Sequence, residues 1–239
     1  MNYTIVTGAT SDIGKQICRT LSANGHFLLM TDVDETALLD FQEELGRSHL
    51  CLPLDLSSVE ECKDKLKLFV KDSNISVTGA VFAAGIFAIK PFRTISYDFI
   101  KRNFDIALFS IIAITQVLTS KKVNSDNLKS IVMLSSVSAQ VGTKGYTIYS
   151  AVKSSMIGLM VSLAAELAPT TRVNAILPGG IRTKTTNFIY ENQEANNPRY
   201  LLGDGSPLDI ANMVDFLMSE KSRWITGQQF VVDGGYLIG

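Results

Sequence analysis

The sequence of 239 residues predicts an α/β fold, in which buried strands alternate with helices. Short apolar runs at residues 3–6, 26–31 and 131–134 are typical of buried strands, and patterns typical of helices lie between them. A glycine-containing turn follows the first of these runs, which is where a dinucleotide-binding unit needs one. The length suits one large α/β domain or two small ones.

Composition and charge exclude several classes of protein. Hydrophobic residues make up 46% of the chain and charged residues 19%, which is enough apolar content for a core and too much for a disordered chain. The net charge of −1 offers no attraction to nucleic acid or to an anionic membrane. The odd number of cysteines, without metal-like spacing, predicts free thiols, no metal site and a reducing compartment. No apolar run reaches the ~18 residues of a membrane span, and no basic leader precedes the first strand, so we expect a cytoplasmic protein.

The turn after the first strand predicts a phosphate-binding cradle. It runs over residues 7–14 and opens an amphipathic helix, so backbone N–H groups and the helix N-terminus face one point. Glycine lets the backbone approach a pyrophosphate closely, although any tight strand-to-helix connection can contain one. The cofactor contacts that we expect from this turn are Gly8, Ser11, Asp12, Ile13 and Gly14.

Asp32 closes the second strand and predicts the choice of cofactor. An acidic side chain about 20 residues past a glycine turn can accept both ribose hydroxyls of an adenosine, and it repels a 2′-phosphate. The turn before Gly14 contains no Arg or Lys that could receive such a phosphate. We therefore expect NAD(H) to be the preferred cofactor, with NADP(H) as the alternative. The alternative is an ordinary aspartate at a strand end.

The remaining elements of the first half follow in order. A helix through residues 37–45 ends at Gly46, and a third strand at 50–54 ends at Asp55. Ser57 and Glu60 have the spacing of a capping box for the next helix. A fourth strand at 79–85 ends in small residues, which permit close packing of either a flat ligand or a neighbouring helix. A long helix is expected over residues 96–119.

The second half contains the residues with acid/base chemistry. Tyr149 and Lys153 are four residues apart on a helix predicted over 147–167, so their side chains share one face. A positive lysine near a phenol favours the phenolate, which makes a tyrosine an acid/base group near neutral pH. This spacing also occurs in exposed helical pairs. Ser136 strengthens the functional interpretation because it follows a buried strand, at the edge where open α/β sheets place their sites.

The end of the chain predicts one more helix between two strands. A strand at 172–177 precedes Pro178 and Gly179, and the polar stretch 184–206 is predicted to be a substrate loop or lid. Pro207 begins a helix, and residues 229–232 form a last strand.

Taken in order, these motifs resemble the short-chain dehydrogenase/reductase family over almost the whole chain, including its 3-oxoacyl-(acyl-carrier-protein) reductase-like members. The matching residues are Thr7-Gly8-x-x-x-Asp12-Ile13-Gly14, Asp55-Leu56, Ala83-Ala84-Gly85, Ser136, Tyr149-x-x-x-Lys153, Asn174, Pro178-Gly179 with Thr183, Thr226-Gly227-Gln228, and Val232-Asp233-Gly234-Gly235. The resemblance implies a single Rossmann domain over 1–239, with a doubly wound sheet of about seven parallel strands and helices on both faces. It also implies hydride transfer between a nicotinamide and a carbonyl or secondary alcohol.

The resemblance also implies the roles of individual residues. Tyr149 is the expected general acid/base, Lys153 lowers its pKa and holds the nicotinamide ribose, and Ser136 binds the substrate oxygen. Tyr149 is also an implied cofactor contact. The others are Asp55 and Leu56 near the adenine, Ala83, Ala84 and Gly85 near the adenosine ribose, Pro178 and Gly179, and Ile181 and Thr183 at the carboxamide. The small-residue helix at 147–167 and the C-terminal segment 234–239 resemble interface elements, so we expect a homotetramer.

Two residues depart from the family pattern. Asp12 replaces the middle glycine of the turn; its carboxylate is unfavourable beside a pyrophosphate, so we expect it to cap the helix. Ala107 replaces an asparagine that in the family holds a water linking the lysine to solvent. Ser110 is an alternative holder of that water. Because of Ala107, a dinucleotide-binding regulatory or structural subunit without turnover remains the competing interpretation.

The substrate is not readable from the sequence. A mainly apolar pocket is expected from Phe87, Ile89, Val141, Tyr146, Phe188, Ile189 and Tyr190. Both 3-oxoacyl-thioester reductases and sugar or polyol dehydrogenases remain open.

Overall fold

The computed structural model describes residues 1–187 and 199–239. Seven strands form one parallel sheet: β1 Asn2–Thr7, β2 Phe27–Thr31, β3 Leu50–Cys51, β4 Ser76–Phe82, β5 Ser130–Leu134, β6 Arg172–Pro178 and β7 Gln229–Val232. Their order across the sheet is β3-β2-β1-β4-β5-β6-β7. The order reverses between β1 and β4, and at such a point the carboxyl ends of the strands leave a crevice. The expected doubly wound sheet of seven strands is confirmed.

The helices cover both faces of this sheet. They are α1 Asp12–Ala23, α2 Glu35–Leu45, α3 Val59–Asp72, α4 Tyr97–Phe104, α5 Ser110–Leu118, α6 Lys121–Asn124, α7 Thr147–Glu166 and α8 Pro207–Met218. One buried cluster contains apolar residues of α3, α5 and α7, and a second contains those of α1, α2 and α8. Alternate strand residues contribute to the two clusters, for example Ile5 to the first and Val6 to the second.

The long helix expected at 96–119 is present as α4 and α5 joined by a π-helical turn at Asp105–Phe109. Ser96 caps its start by accepting a hydrogen bond from the backbone of Phe99. In the π-helical turn the backbone N–H of Ser110 donates to the carbonyl of Asp105, five residues earlier. Such turns are frequent at functional sites, and Ala107 lies within this one.

Two local predictions in the first half are wrong. The third strand covers only Leu50–Cys51: regular pairing ends there, although the backbone N–H groups of Leu52 and Leu54 still donate to the carbonyls of Met30 and Asp32. The capping box is also absent: α3 begins at Val59, and Ser58 makes no side-chain cap bond. The Ser57 hydroxyl donates instead to Asp55, at 2.7 Å. The Ser57 side chain is therefore used in a local turn after the strand rather than in a helix cap.

The helix α7 has 20 residues and is long and apolar enough, by length and composition alone, to cross a membrane. The helix passes as an average over a window that includes Lys153 and several serines, so it is not an uninterrupted apolar run. Only 28% of its apolar window is buried, yet Lys153 on this helix lies in the protein interior. Core helices pass the same test, so the observation is weak support for a membrane span.

Candidate active site

A cavity of about 380 Å³ opens at the carboxyl ends of β1, β4, β5 and β6. Twelve predicted site residues line it: Ser11, Asp12, Ile13, Ala83, Gly85, Ser136, Tyr149, Lys153, Pro178, Gly179, Ile181 and Thr183. They come from separate parts of the chain, and the sheet topology brings them together. Gly8, Gly14, Asp32, Asp55, Leu56 and Ala84 lie outside this lining.

The glycine turn is closely packed against the end of β4. Gly8 has a φ of +67°, and a Cβ there would lie 2.9 Å from the Cα of Ala84. A Cβ on Gly14 would collide with the carbonyl oxygen of Gly8. The Thr7 hydroxyl accepts hydrogen bonds from the backbone N–H groups of Ala83 and Ala84, both at 3.2 Å. Gly8, Gly14 and Ala84 thus shape the cradle from behind the cavity wall.

Ser11, rather than Asp12, caps α1. The Ser11 hydroxyl accepts the backbone N–H of Gly14 at 3.0 Å and donates to the carbonyl of Gly8 at 2.8 Å. Asp12 is the first helical residue, and its carboxylate accepts the backbone N–H of Lys184 at 2.6 Å. The expectation that Asp12 caps the helix is therefore wrong, because its side chain turns to the segment after β6.

Asp32 lies beside the glycine turn, and its carboxylate is already engaged. One oxygen accepts the N–H and the hydroxyl of Thr10, at 3.0 and 2.7 Å. The other accepts the N–H of Val33 at 2.8 Å. Asp32 therefore fixes the turn to the end of β2. This is a structural role, as expected for an ordinary aspartate at a strand end. A carboxylate has about four acceptor positions, so capacity for one further donor remains.

Asp55 and Leu56 follow β3 at a distance from the cavity. Asp55 is exposed, and two hydrogen bonds from Ser57 hold the pKa of its carboxyl below the ordinary range. The Leu56 side chain is buried in the core cluster beside α3. Only the backbone of Leu56 can therefore meet a ligand.

Lys153 is buried, and its ammonium donates to the backbone carbonyl of Leu134 at 2.6 Å. Burial lowers the pKa of Lys153 to about 8. A Cβ on Gly85 would lie 3.4 Å from this nitrogen, so the glycine leaves the space beside the amine open. Lys153 thus lines the cavity as a buried amine with a lowered pKa.

Tyr149 and Ser136 face the same cavity as Lys153. The lysine nitrogen lies 5.7 Å from the centroid of the Tyr149 ring. Burial raises the pKa of Tyr149, and a hydrogen bond with Ser136 opposes this effect without reversing it. The sequence predicts that the pKa of Tyr149 is lowered. In the structure it is raised, because the loss of solvent around the phenol outweighs the lowering effect of Ser136.

The segment after β6 closes the cavity on a further side. Ile181 is buried and pairs with Gly205 in an isolated parallel bridge. The hydroxyls of Thr183 and Thr186 lie 3.0 Å apart. The backbone N–H of Gly180 donates to the Tyr200 hydroxyl at 2.9 Å. The start of the predicted loop at 184–206 is therefore tied to the site, whereas residues 188–198 lie outside the described residues.

Aromatic residues form the remaining wall. The rings of Phe87, Tyr146 and Tyr149 meet edge to face, with centroids 5.3 to 6.0 Å apart. Tyr200 and Tyr236 stack at 4.9 Å. Sequence reasoning missed this second pair, because Tyr200 and Tyr236 are far apart in the chain and carry no motif.

The predicted pocket residues are placed in three ways. Phe87, Val141 and Tyr146 line the cavity. Ile89 does not: it is exposed, with its side chain against the backbone of Gly145. Phe188, Ile189 and Tyr190 fall outside the described residues.

The position where the family has an asparagine is tightly packed. Ala107 is 3% exposed, and the neighbouring Ser110 is 1% exposed. The Ser110 hydroxyl donates to the backbone carbonyl of Ile106 at 2.7 Å, within its own helix. Its proton is therefore committed, although its oxygen can still accept a hydrogen bond.

Known proteins with a similar sequence or structure cover nearly the whole chain. A family model described as enoyl-(acyl carrier protein) reductase matches residues 8–237. Oxidoreductase UcpA of Escherichia coli (strain K12) is 30% identical, across 97% of this chain and 92% of its own length. The 3-oxoacyl-[acyl-carrier-protein] reductase FabG of Rickettsia bellii (strain RML369-C) is 32% identical, across 98% and 96%.

A solved structure gives the same result for the fold. The 4-hydroxyisoleucine dehydrogenase complexed with NADH superposes with a TM-score of 0.89 at 27% identity, covering 100% of both chains. Fold, family model and relatives agree with the resemblance that the motifs indicate. The chain therefore belongs to the short-chain dehydrogenase/reductase family of oxidoreductases.

Proposed function

We propose that this chain is an NAD(H)-dependent oxidoreductase that interconverts a carbonyl compound and a secondary alcohol. The observation that carries the proposal is the meeting of Ser136, Tyr149 and Lys153 in the cavity that the glycine turn also lines. Membership of the family supports oxidoreductase chemistry. The NADH in the similar dehydrogenase structure supports a nicotinamide dinucleotide as cofactor.

The cavity fits such a cofactor. Gly8 and Gly14 leave no room for a Cβ, and the backbone N–H groups at the N-terminus of α1 are the kind of donors that would bind a pyrophosphate. The residues that would hold the dinucleotide are those of the turn, Ala83 to Gly85, Pro178 and Gly179, Ile181 and Thr183, with Asp55 and Leu56 at the adenine. When bound, the nicotinamide supplies a hydride to the carbonyl carbon or accepts one from the alcohol carbon.

Asp32 supports a preference for NAD(H). Its carboxylate lies at the end of β2, beside the expected adenosine ribose, and keeps capacity for a hydroxyl donor. A 2′-phosphate at the same place would meet a negative charge without a cation in the turn. Titration of both reduced cofactors by fluorescence tests this point, and tighter binding of NADPH would contradict it.

The chain itself provides the proton. Tyr149 donates it to the substrate oxygen during reduction and accepts it during oxidation, while Ser136 stabilises the charge on that oxygen. The raised pKa of Tyr149 keeps the phenol protonated, which suits the direction of reduction. Lys153 holds the nicotinamide ribose and supplies a positive charge that favours the phenolate after transfer.

One competing function has observations in its favour. A dinucleotide-binding regulatory or structural subunit would tolerate Ala107 at the relay position and a phenol whose pKa is raised. The complete set of Ser136, Tyr149 and Lys153 favours the enzyme. A panel of ketones and alcohols, followed by the absorbance of NADH, separates the two functions. Tight NADH binding without turnover on any member of the panel would support the subunit.

We further propose a cytoplasmic homotetramer. The exposed face of α7 carries mainly small residues, namely Ala151, Ser154, Gly158, Ser162 and Ala165, which permit another helix to approach closely. Leu202 and Ile238, near the C-terminal segment, are 87% and 84% exposed, which suits burial in an interface. Light scattering at micromolar concentration tests the assembly, and a monomer would contradict it.

A further inference from the structure

We propose that the substrate is an uncharged carbonyl compound with a second oxygen on the neighbouring carbon, such as an α-hydroxyketone, and that Tyr146 binds this second oxygen. In the direction of oxidation the corresponding substrate is a vicinal diol. The inference rests on the proposed function, because it concerns the substrate of the same site.

The position of Tyr146 relative to Tyr149 is the first argument. Tyr146 lies immediately before α7, and its ring is 6.0 Å from that of Tyr149 at an interplanar angle of 89°. Phe87 contacts both rings edge to face, at 5.4 and 5.3 Å, and so holds their relative orientation. Both tyrosines line the cavity. A second phenol is therefore fixed beside the one that is expected to meet the reacting oxygen.

The hydroxyl of Tyr146 is available to a ligand. No hydrogen bond joins it to another residue within 1–187 and 199–239. Burial and the neighbouring Tyr236 phenol raise the pKa of Tyr146, so it remains a protonated donor throughout the neutral range. A half-buried hydroxyl of this kind can donate a hydrogen bond to a substrate oxygen. It stays without a partner when the substrate has no oxygen at that position, which lowers the affinity for such a substrate.

Tyr236, which also lines the cavity, adds a second donor. Its hydroxyl accepts a hydrogen bond from the guanidinium of Arg199 at 3.3 Å, so its own proton is left for another acceptor. The same guanidinium stacks over the Tyr236 ring at 4.2 Å and donates to the Tyr236 backbone carbonyl. Arg199 is thus occupied at Tyr236 and does not line the cavity.

The charge of the cavity argues against an anionic substrate. Among the described lining residues only Asp12 and Lys153 are charged, and Lys153 donates to the Leu134 carbonyl. The sequence of residues 188–198 contains Glu191 and Glu194 but no Lys or Arg. A substrate carboxylate would lose its hydration here without gaining a dedicated cation, which is strongly unfavourable.

Three small carbonyl compounds of equal carbon number test the inference. Acetone has no second oxygen, hydroxyacetone has an uncharged one, and pyruvate has a charged carboxylate. With wild-type protein and NADH, we expect kcat/KM for hydroxyacetone to exceed that for acetone by about tenfold or more. Pyruvate should be reduced no better than acetone. A preference for pyruvate, or equal values for acetone and hydroxyacetone, overturns the inference.

A pair of variants assigns the effect to Tyr146. Tyr146→Phe removes only the hydroxyl, and it should lower the preference for hydroxyacetone over acetone to within about twofold, chiefly through KM. The control is Tyr97→Phe, the same change at a tyrosine that is 75% exposed on α4, and it should leave the preference unchanged. An unchanged preference in Tyr146→Phe would contradict the role of this residue.

The failure of this inference is distinguishable from failure of the proposed function. If other ketones are reduced without any preference for a neighbouring oxygen, only the substrate class is wrong. If no carbonyl compound is reduced with NADH, the proposed function is wrong and the substrate class falls with it.

Discussion

The carboxylate of Asp12 accepts a hydrogen bond from the backbone N–H of Lys184, at 2.6 Å. This contact joins the first turn of α1 to the segment that follows β6, across 172 residues of sequence. Both ends of the contact border the cavity, since Asp12, Thr183 and Thr185 line it. The residue that replaces a family glycine therefore links the expected pyrophosphate site to the start of the expected substrate loop.

Two substitutions of Asp12 separate its contact from its charge. Asp12→Asn keeps an acceptor for Lys184 and removes the negative charge beside the pyrophosphate site, so NADH should bind at least as tightly as to wild type. Asp12→Ala loses the contact, and NADH should bind several-fold more weakly than to Asp12→Asn. Fluorescence titration measures both. Equal binding by the two variants would show that the tether has no part in holding the cofactor.

The lowered pKa of Lys153 predicts the pH dependence of reduction. Because burial brings this pKa to about 8, the ammonium loses its proton as pH rises through that value. Its positive charge then no longer favours the phenolate that forms on Tyr149. We expect kcat/KM for ketone reduction to fall above about pH 8, as measured in a pH–rate profile. A profile that stays flat well above this value would contradict the role of Lys153.

The buried hydroxyl of Ser110 predicts the result of two substitutions near the missing asparagine. Since Ser110 donates to the Ile106 carbonyl, it serves its own helix, and Ser110→Ala should change kcat by less than about twofold. Ala107→Asn should be neutral or mildly activating if the relay limits the rate. Steady-state kinetics of both variants decide whether Ser110 serves only its own helix or holds the relay water. Marked slowing in Ser110→Ala would assign the water to Ser110.

His49 predicts how stability depends on pH. Its Nδ1 accepts the backbone N–H of Leu28 at 3.2 Å, and its Nε2 lies 2.8 Å from the Ser22 hydroxyl, so the ring is neutral with the proton on Nε2. Burial lowers the pKa of His49. A lowered folded-state pKa means that the contribution to stability is present above the unfolded value of about 6.5 and is lost as pH falls below it.

Thermal unfolding between pH 7 and pH 5 measures this effect. Wild type should lose stability over the interval, and His49→Gln, which does not titrate, should show a shallower loss. Some loss will remain, because burial also lowers the pKa of His26. If wild type and His49→Gln lost thermal stability equally between pH 7 and pH 5, His49 would not contribute to the pH dependence.

Motifs within a short stretch of sequence were sufficient to predict much of the fold and the site. The glycine turn, the Tyr149–Lys153 pair on one helix face and Ser136 after a strand each depend on local spacing. What could not be predicted depends on contacts between distant segments. The partner of Asp12 is at position 184, and Tyr200 meets Tyr236 only in the folded chain. The raised pKa of Tyr149 is likewise a consequence of tertiary burial.

The turnover of Tyr149→Phe tests the central claim most directly. The substitution removes one oxygen atom from a ring that Phe87 and Tyr146 hold in place, so the fold and the affinity for NADH should be nearly unchanged. Loss of a general acid/base costs roughly 10²–10⁴-fold in rate. We predict that kcat for ketone reduction falls by at least this factor while NADH binding persists. A Tyr149→Phe protein with near-wild-type kcat would contradict the assignment of the active site.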